Sequence, residues 1–195
     1  SDVLKLLIDK GAALHHRTAS GNNALILLAL NYQRDNLADV MGLLIEAGLD
    51  VNSKSNKKWN ALHMLCSNYK GTEGLFRAVR LLVEKGIDTK EQTQDDHLTV
   101  LHLITTRHFG NSERLADLVN YLIENGAEAD AADKNGWTPL LLACQFYHQD
   151  DFIQLIHCLI KHGANPNRRL ANNGENALTL AVTHRPHQKN VVDVI

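Results

Sequence analysis

Residues 136–143 read Gly-Trp-Thr-Pro-Leu-Leu-Leu-Ala, a stretch that predicts the start of a helix. Thr138 is a residue type that caps helix N-termini, and Pro139 would fall at the first helical position, where its missing N–H does no harm. Further along, Gly163 follows the segment Leu-Ile-Lys-His, which is typical of an amphipathic helix end closed by a left-handed glycine. The stretch and this glycine therefore bracket one helix pair.

Working outward, both signals recur along the whole chain. The closing glycines are spaced by 37, 38, 40 and 37 residues, and they are Gly11, Gly48, Gly86, Gly126 and Gly163. About twelve residues after each of them an Asn or Thr opens a new helix; these caps are Asn23, Asn60, Thr99, Thr138 and Asn176. The turn formers between glycine and cap predict a β-turn finger. We predict helices at residues 2–10, 24–32, 37–47, 61–69, 74–85, 100–108, 113–125, 139–147, 151–162 and 177–184.

These motifs resemble the signature of the ankyrin-repeat family. The matching phrases are residues 136–143, Asn60-Ala-Leu-His63, Gly48-Leu-Asp-Val-Asn52 and Gly163-Ala-Asn-Pro-Asn167. The resemblance implies an all-α solenoid of stacked helix-turn-helix units with β-turn fingers, and a concave groove lined by fingers and inner helices. The usual repeat has about 33 residues, so this chain resembles a variant with repeats of 37–40 residues and a lengthened helix–helix segment.

The repeat boundaries predict a single array over residues 1–195. It comprises a partial first unit at 1–11, repeats at about 12–48, 49–86, 87–126 and 127–163, and a truncated last repeat at 164–195. Terminal repeats usually carry a polar outer face, whereas both ends of this chain carry apolar residues, namely Leu4, Leu7, Ile8, Val191, Val192, Val194 and Ile195. We therefore expect further repeats or domains to flank this segment.

Composition excludes several classes of protein. The formal net charge is −2, from 20 Lys plus Arg and 22 Asp plus Glu, so the chain has no overall field that would recruit nucleic acid. The chain has no apolar run long enough for a membrane helix, and its first residues do not resemble a signal peptide. The three cysteines have no CxxC spacing. We expect an intracellular, cytoplasmic protein without a membrane partner, with its cysteines reduced and buried.

The sequence lacks the motifs GxxxxGK[ST], GxSxG and HExxH, which serve phosphate binding, acyl transfer and zinc proteolysis. His63 and His102 share one slot of the ankyrin phrase, where the family uses histidine structurally. We therefore expect no enzymatic activity, no catalytic residue, no cofactor and no metal.

The resemblance implies a protein-protein interaction scaffold that binds another protein or peptide through its concave face. Core slots repeat from unit to unit whereas the exposed slots differ, and a specific binder requires such variation. Trp and Arg also carry much of the energy of interfaces. The predicted partner-binding residues are Lys57, Lys58, Trp59, Asn68, Arg107, Lys134, Trp137 and Gln145.

A second hypothesis is a nucleotide- or small-ligand-sensing regulatory arm of a larger multidomain enzyme. Trp59 with Lys57 and Lys58 is similar to the finger tryptophan that stacks on adenine in the ankyrin domain of ribonuclease L. The kinase-like and nuclease portions of that protein have no counterpart in this sequence. Trp is also common before the cap of ankyrin repeats as a packing residue.

Three further patterns yield expectations. The column Tyr32, Tyr69, His108, Tyr147 and Arg185 is either an aromatic floor for a partner or packing for the lengthened segment. The finger cations form an edge that suits an acidic partner or simply keeps the turns soluble; they are Arg17, Lys54, Lys57, Lys58, Lys134, Arg168 and Arg169. The first leucines of the inner helices, Leu62, Leu101, Leu140 and Leu178, should be buried between repeats.

Overall fold

The computed structural model describes residues 2–68, 72–106, 115–147 and 151–184. The chain divides into two compact units, residues 1–95 and 96–195, and each is described on its own. This division falls inside the predicted third repeat, residues 87–126.

The first unit contains α1 (Asp2–Asp9), α2 (Ala24–Asn31), α3 (Leu37–Glu46), α4 (Ala61–Asn68) and α5 (Thr72–Glu84). The second unit contains α6 (Val100–Thr105), α7 (Leu115–Glu124), α8 (Pro139–Phe146), α9 (Phe152–Lys161) and α10 (Ala177–His184). Every helix begins within two residues of its predicted start. The described residues contain helices and turns but no strand, which confirms the all-α class.

Side chains cap the inner helices as the sequence predicts. Asn23 Oδ1 accepts a hydrogen bond from the Ile26 amide at 3.0 Å, and Thr138 Oγ1 accepts one from the Leu141 amide at 3.3 Å. At Thr99 the ring of His102 contributes, because its Nδ1 accepts the Thr99 backbone N–H at 3.1 Å. These bonds satisfy amides that have no partner within the first helical turn.

Each outer helix ends two residues before one of the predicted glycines. At Gly48, where φ is +102°, the Gly48 amide bonds to the carbonyl of Ile45 at 2.9 Å, and the Leu49 amide bonds to that of Leu44 at 3.0 Å. This pair of bonds closes the helix in a left-handed turn that a side chain would strain. The next residues then lead into a finger.

Inner helices pack on inner helices, and outer helices on outer ones. In the first unit α2 packs on α4 and α3 on α5; in the second α8 packs on both α6 and α10, and α7 on α9. The inner helices are apolar on most of their surface because they are covered from several sides. Leu62, Leu101 and Leu140 are at most 1% exposed, as predicted.

The expected burial of Leu178 is wrong. Its side chain is 63% exposed, and Val182, one turn later, is 55% exposed. Helix α10 contacts α8 and buries Ala177 and Leu180. Leu178 and Val182 share the face of α10 that the described residues leave uncovered.

In the repeat of α2 and α3 the lengthened segment forms a connection rather than a longer inner helix. Helix α2 ends at Asn31 and α3 begins at Leu37, so the added residues of this repeat lie between the two helices. Inner helices α2, α4, α8 and α10 each have eight residues.

The cysteines are free thiols, and the expectation that all three are buried is wrong for one of them. Cys66 and Cys144 are buried in inner helices, whereas Cys158 on α9 is half-buried. The partial burial of Cys158 raises the pKa of its thiol. None of the described helices combines the length and the apolar character that a bilayer crossing requires.

Candidate partner-binding site

An open cleft of about 640 Å³ lies in the first unit, beside Trp59. Its walls come from two successive fingers and from the inner helix α4. The lining residues are Ala19, Ser20, Asn22, Ser55, Asn56, Lys57, Trp59, Met64, Ser67 and Asn68. We call this space the Trp59 cleft.

Hydrogen bonds join the two fingers that line the cleft. The Asn56 amide donates to the carbonyl of Ser20 at 3.0 Å, and Asn56 Nδ2 donates to that of Ala19 at 2.9 Å. The close approach requires Gly21, because a Cβ there would lie 2.3 Å from Asn56 Oδ1. The fingers therefore form a firm wall rather than two independent loops.

Trp59 forms one side of the cleft and is half-exposed. Its carbonyl accepts the Ser55 amide at 2.8 Å, and its own amide donates to Ser55 Oγ at 3.1 Å. The indole ring lies 5.9 Å from the imidazole of His63, with the two planes tilted by 56°. The backbone and one ring neighbour thus position the indole.

Three of the four predicted residues in this unit meet at the cleft. Lys57, Trp59 and Asn68 all line it, and Asn68 is held by a 3.2 Å bond from its Nδ2 to the Met64 carbonyl. Lys58 is exposed but is not among the lining residues.

Five of the seven finger cations contact a neighbouring finger, which bears on the basic edge. Lys57 Nζ lies 2.8 Å from Asp95 Oδ2, Lys54 pairs with Glu91, and Arg17 donates to the carbonyls of Gly21 and Lys54 at 2.9 and 2.7 Å. In the second unit Lys134 pairs with Asp96, and Arg168 lies 3.3 Å from Asp130. Four of these cations, Lys54, Lys57, Lys134 and Arg168, therefore lie beside a carboxylate, which offsets part of the positive charge that the sequence suggests.

In the second unit the predicted residues are arranged differently. Trp137 is half-exposed, and its ring centroid lies 6.2 Å from that of Phe146, with the planes tilted by 44°. Gln145 is half-buried, and its Oε1 has no hydrogen-bond partner in the described part of the chain. Arg107, the remaining predicted residue, lies outside the described residues.

The two core histidines have structural roles. Nε2 of His63 bonds to the Glu91 carbonyl at 3.1 Å, and Nε2 of His102 bonds to the Trp137 carbonyl at 3.0 Å, so each ring ties its helix to the next finger. Burial lowers the pKa of His102 below its usual 6.5. Within the four described ranges, no group of three His, Cys, Asp or Glu residues is placed to hold a metal ion.

The aromatic column packs the connections where the structure describes it. The Tyr32 hydroxyl donates to Asn36 Oδ1 at 2.8 Å, and the buried Tyr147 hydroxyl donates to Asp151 Oδ1 at 2.5 Å. These bonds favour loop packing over a binding floor for both tyrosines. Tyr69, His108 and Arg185 lie outside the described residues.

Sequence reasoning missed most of the cleft wall. Ser20 occupies the same finger slot as Lys57, three residues before the cap, and Asn56 reaches back to the preceding finger. A comparison of each finger with its predecessor could have identified them, because adjacent fingers share one surface in a repeat stack.

Comparisons with known proteins agree with this architecture. A family model described as ankyrin repeats, in three copies, matches residues 1–93 and 108–195. A crystal structure of an ankyrin repeat domain from Acinetobacter baumannii superposes with a TM-score of 0.74 and 26% identity, over 94% of this chain and 85% of that one.

Proposed function

Because this chain belongs to the ankyrin-repeat family, whose repeats generally serve as protein-interaction modules, we propose that it is a non-catalytic scaffold that binds another protein. The binding surface consists of fingers and inner helices. In the first unit it includes Lys57, Lys58, Trp59 and Asn68; in the second it includes Lys134, Trp137 and Gln145. The free thiols Cys66 and Cys144 suit a reducing intracellular compartment.

The Trp59 cleft is the observation that carries this proposal. It combines a half-exposed indole with amide and hydroxyl groups on a wall that inter-finger hydrogen bonds hold in place. Interfaces draw much of their energy from a few aromatic anchors surrounded by groups that exclude water. A preformed wall also reduces the conformational entropy lost on binding.

The experiment is capture of partners from native lysate on the immobilised chain, followed by affinity measurements with the identified protein. Trp59→Ala should weaken binding by more than about 1 kcal/mol, the usual threshold for an interface residue that matters. Arg80→Ala on the outer helix α5, where Arg80 is exposed, is the matched control and should leave the affinity unchanged. Helical circular dichroism must be the same for all variants. Equal affinity of Trp59→Ala and the wild type would remove the first unit's cleft from the interface.

The alternative of nucleotide sensing has a separate test. The ion pair of Lys57 with Asp95 weighs against it, because a phosphate would compete with a carboxylate already 2.8 Å from the ammonium. A nucleotide at 100 times its dissociation constant would stabilise the fold by about 2.7 kcal/mol, which a thermal-shift screen detects easily. A shift that disappears in Trp59→Ala would favour the alternative.

A further inference from the structure

The two units differ at one pair of equivalent positions. Helices α4 and α8 both begin two residues after a tryptophan and end nine residues after it, so Asn68 in the first unit corresponds to Phe146 in the second. In the second unit, the ring of Phe146 contacts Trp137, with centroids 6.2 Å apart. In the first unit Asn68 takes that position, and the Trp59 cleft opens between it and the indole.

The walls of the cleft suit an uncharged apolar group. Trp59 and Met64 supply an aromatic ring and a thioether, and both adapt well to apolar side chains. Among the lining residues only Lys57 carries a charge, and its ammonium lies 2.8 Å from a carboxylate oxygen of Asp95. The remaining polar walls are hydroxyls and amides, which match the N–H and C=O groups of a peptide backbone.

We propose that the Trp59 cleft receives an aromatic or large aliphatic side chain from a partner polypeptide. That side chain occupies the place beside Trp59 that Phe146 occupies beside Trp137. The inference rests on the proposed function and narrows it: the partner presents an exposed apolar anchor on an uncharged segment, rather than an acidic or phosphorylated one. Insertion of such a side chain into the cleft should depend only weakly on salt, because an apolar side chain forms no ion pair there.

The test uses a library of short random peptides displayed on phage, selected on the immobilised full chain. Selected peptides should share an aromatic or aliphatic residue and show no enrichment of Asp or Glu. Asn68→Phe fills the position beside Trp59 with a side chain of the protein itself. It should weaken the binding of a selected peptide by about tenfold or more. Asn31→Phe is the matched control, since Asn31 ends α2 at the same slot but does not line the cleft, and it should bind as the wild type does.

A second measurement does not depend on the folding of Asn68→Phe. The chain has two tryptophans, so Trp137→Phe leaves Trp59 as the sole indole. Its emission should move to shorter wavelength when a selected peptide binds, because an apolar side chain displaces water from the ring. Unshifted emission on binding would overturn the inference.

The outcomes separate this inference from the proposed function. Peptides that are rich in acidic residues and that fail to bind Trp59→Ala would overturn the apolar anchor and leave the protein-binding surface in place. Peptides whose affinity for Asn68→Phe equals their affinity for the wild type would also overturn the apolar anchor. A selection that yields no peptide dependent on Trp59 would contradict both proposals for the first unit.

Discussion

The hydroxyl of Tyr147 donates a 2.5 Å hydrogen bond to Oδ1 of Asp151, and both residues are buried. Tyr147 directly follows the inner helix α8, and Asp151 is the N-cap residue of the outer helix α9. Tyr32 and Asn36 repeat this relationship between α2 and α3, with a 2.8 Å bond that is exposed. One phenol in each of these repeats therefore fixes where the outer helix begins across a lengthened connection.

Tyr147→Phe should lower the free energy of unfolding by about 1.5–3 kcal/mol, the range for a hydrogen bond to a charged group. The substitution keeps the ring but leaves a buried carboxylate, 7% exposed at Asp151, without its hydroxyl donor. Urea denaturation monitored by circular dichroism measures the change.

Tyr32→Phe is the matched control for that prediction. Its bond to Asn36 is open to water, which can replace the hydroxyl, so the loss should stay below about 1 kcal/mol. Equal losses in the two variants would mean that burial of the Tyr147 bond contributes nothing.

Leu140→Ala and Leu178→Ala should differ sharply although the two leucines hold the same slot of α8 and α10. Leu140 is 1% exposed, so its truncation should destabilise by about 2–5 kcal/mol, the range for emptying a packed leucine site. Leu178 is 63% exposed, so its truncation should lower the free energy of unfolding by less than about 1 kcal/mol, as surface substitutions usually do. Paired thermal and urea unfolding curves test this difference, and similar losses would refute the assigned exposure of Leu178.

Lys58→Gly and His97→Gly should each stabilise the chain by roughly 0.5–1 kcal/mol, because a side chain in a left-handed conformation is strained. Lys58 has φ of +59° and His97 of +56°, at the finger slot that holds glycine in the other fingers. The extra entropy of glycine in the unfolded chain offsets part of this gain. Differential scanning calorimetry should register a higher Tm for both, and a lower Tm would show that other contacts of these side chains outweigh the strain.

Gly21→Ala should destabilise more than Gly136→Ala at that same slot. Both glycines have positive φ, but only at Gly21 would a new Cβ meet another finger, 2.3 Å from Asn56 Oδ1, while nothing lies within 4 Å at Gly136. The added loss at Gly21 should appear in urea unfolding as a lower midpoint with an unchanged slope. Identical midpoints would mean that Asn56 moves away without cost.

Local signals explain why the helices could be predicted from the sequence. Caps such as Asn23 and closing glycines such as Gly48 act on groups within a few residues of them, so one short stretch of sequence is enough to predict them. Burial depends on neighbours instead. Leu178 holds the same repeat slot as Leu140 but has a different packing environment, and for that reason its predicted burial is wrong.

The candidate site could be predicted only in part. Slot comparison brought Lys57, Trp59 and Asn68 together, because equivalent slots of a repeat share one face. The sequence did not predict the ion pair of Lys57 with Asp95, since spacing along the chain does not set the direction of a long side chain on a turn. The basic edge therefore looked more positive in the sequence than the folded fingers make it.

Acidification should destabilise the chain through His102. Its Nδ1 accepts the Thr99 amide at 3.1 Å, so the folded state needs this nitrogen unprotonated, and burial lowers the pKa below 6.5. The unfolded chain binds a proton near pH 6.5 whereas the folded chain does not, so the stabilisation is complete above that pH. It is lost as the pH falls toward the lower pKa of the folded state, by at most about 1.4 kcal/mol per pH unit.

His102→Gln isolates this contribution from the other histidines. The variant lacks the titrating ring, so its stability deficit relative to wild type should be largest near neutral pH and should shrink as the pH falls below about 6.5. Urea unfolding of both proteins between about pH 7.5 and pH 5 measures the deficit at each step. The deficit narrows because the His102 ring takes up a proton in the unfolded chain but not in the folded one. All other titrating groups are common to both proteins and do not change the difference between them. A deficit that stays constant over the range would show that His102 takes up its proton equally in the folded and unfolded states.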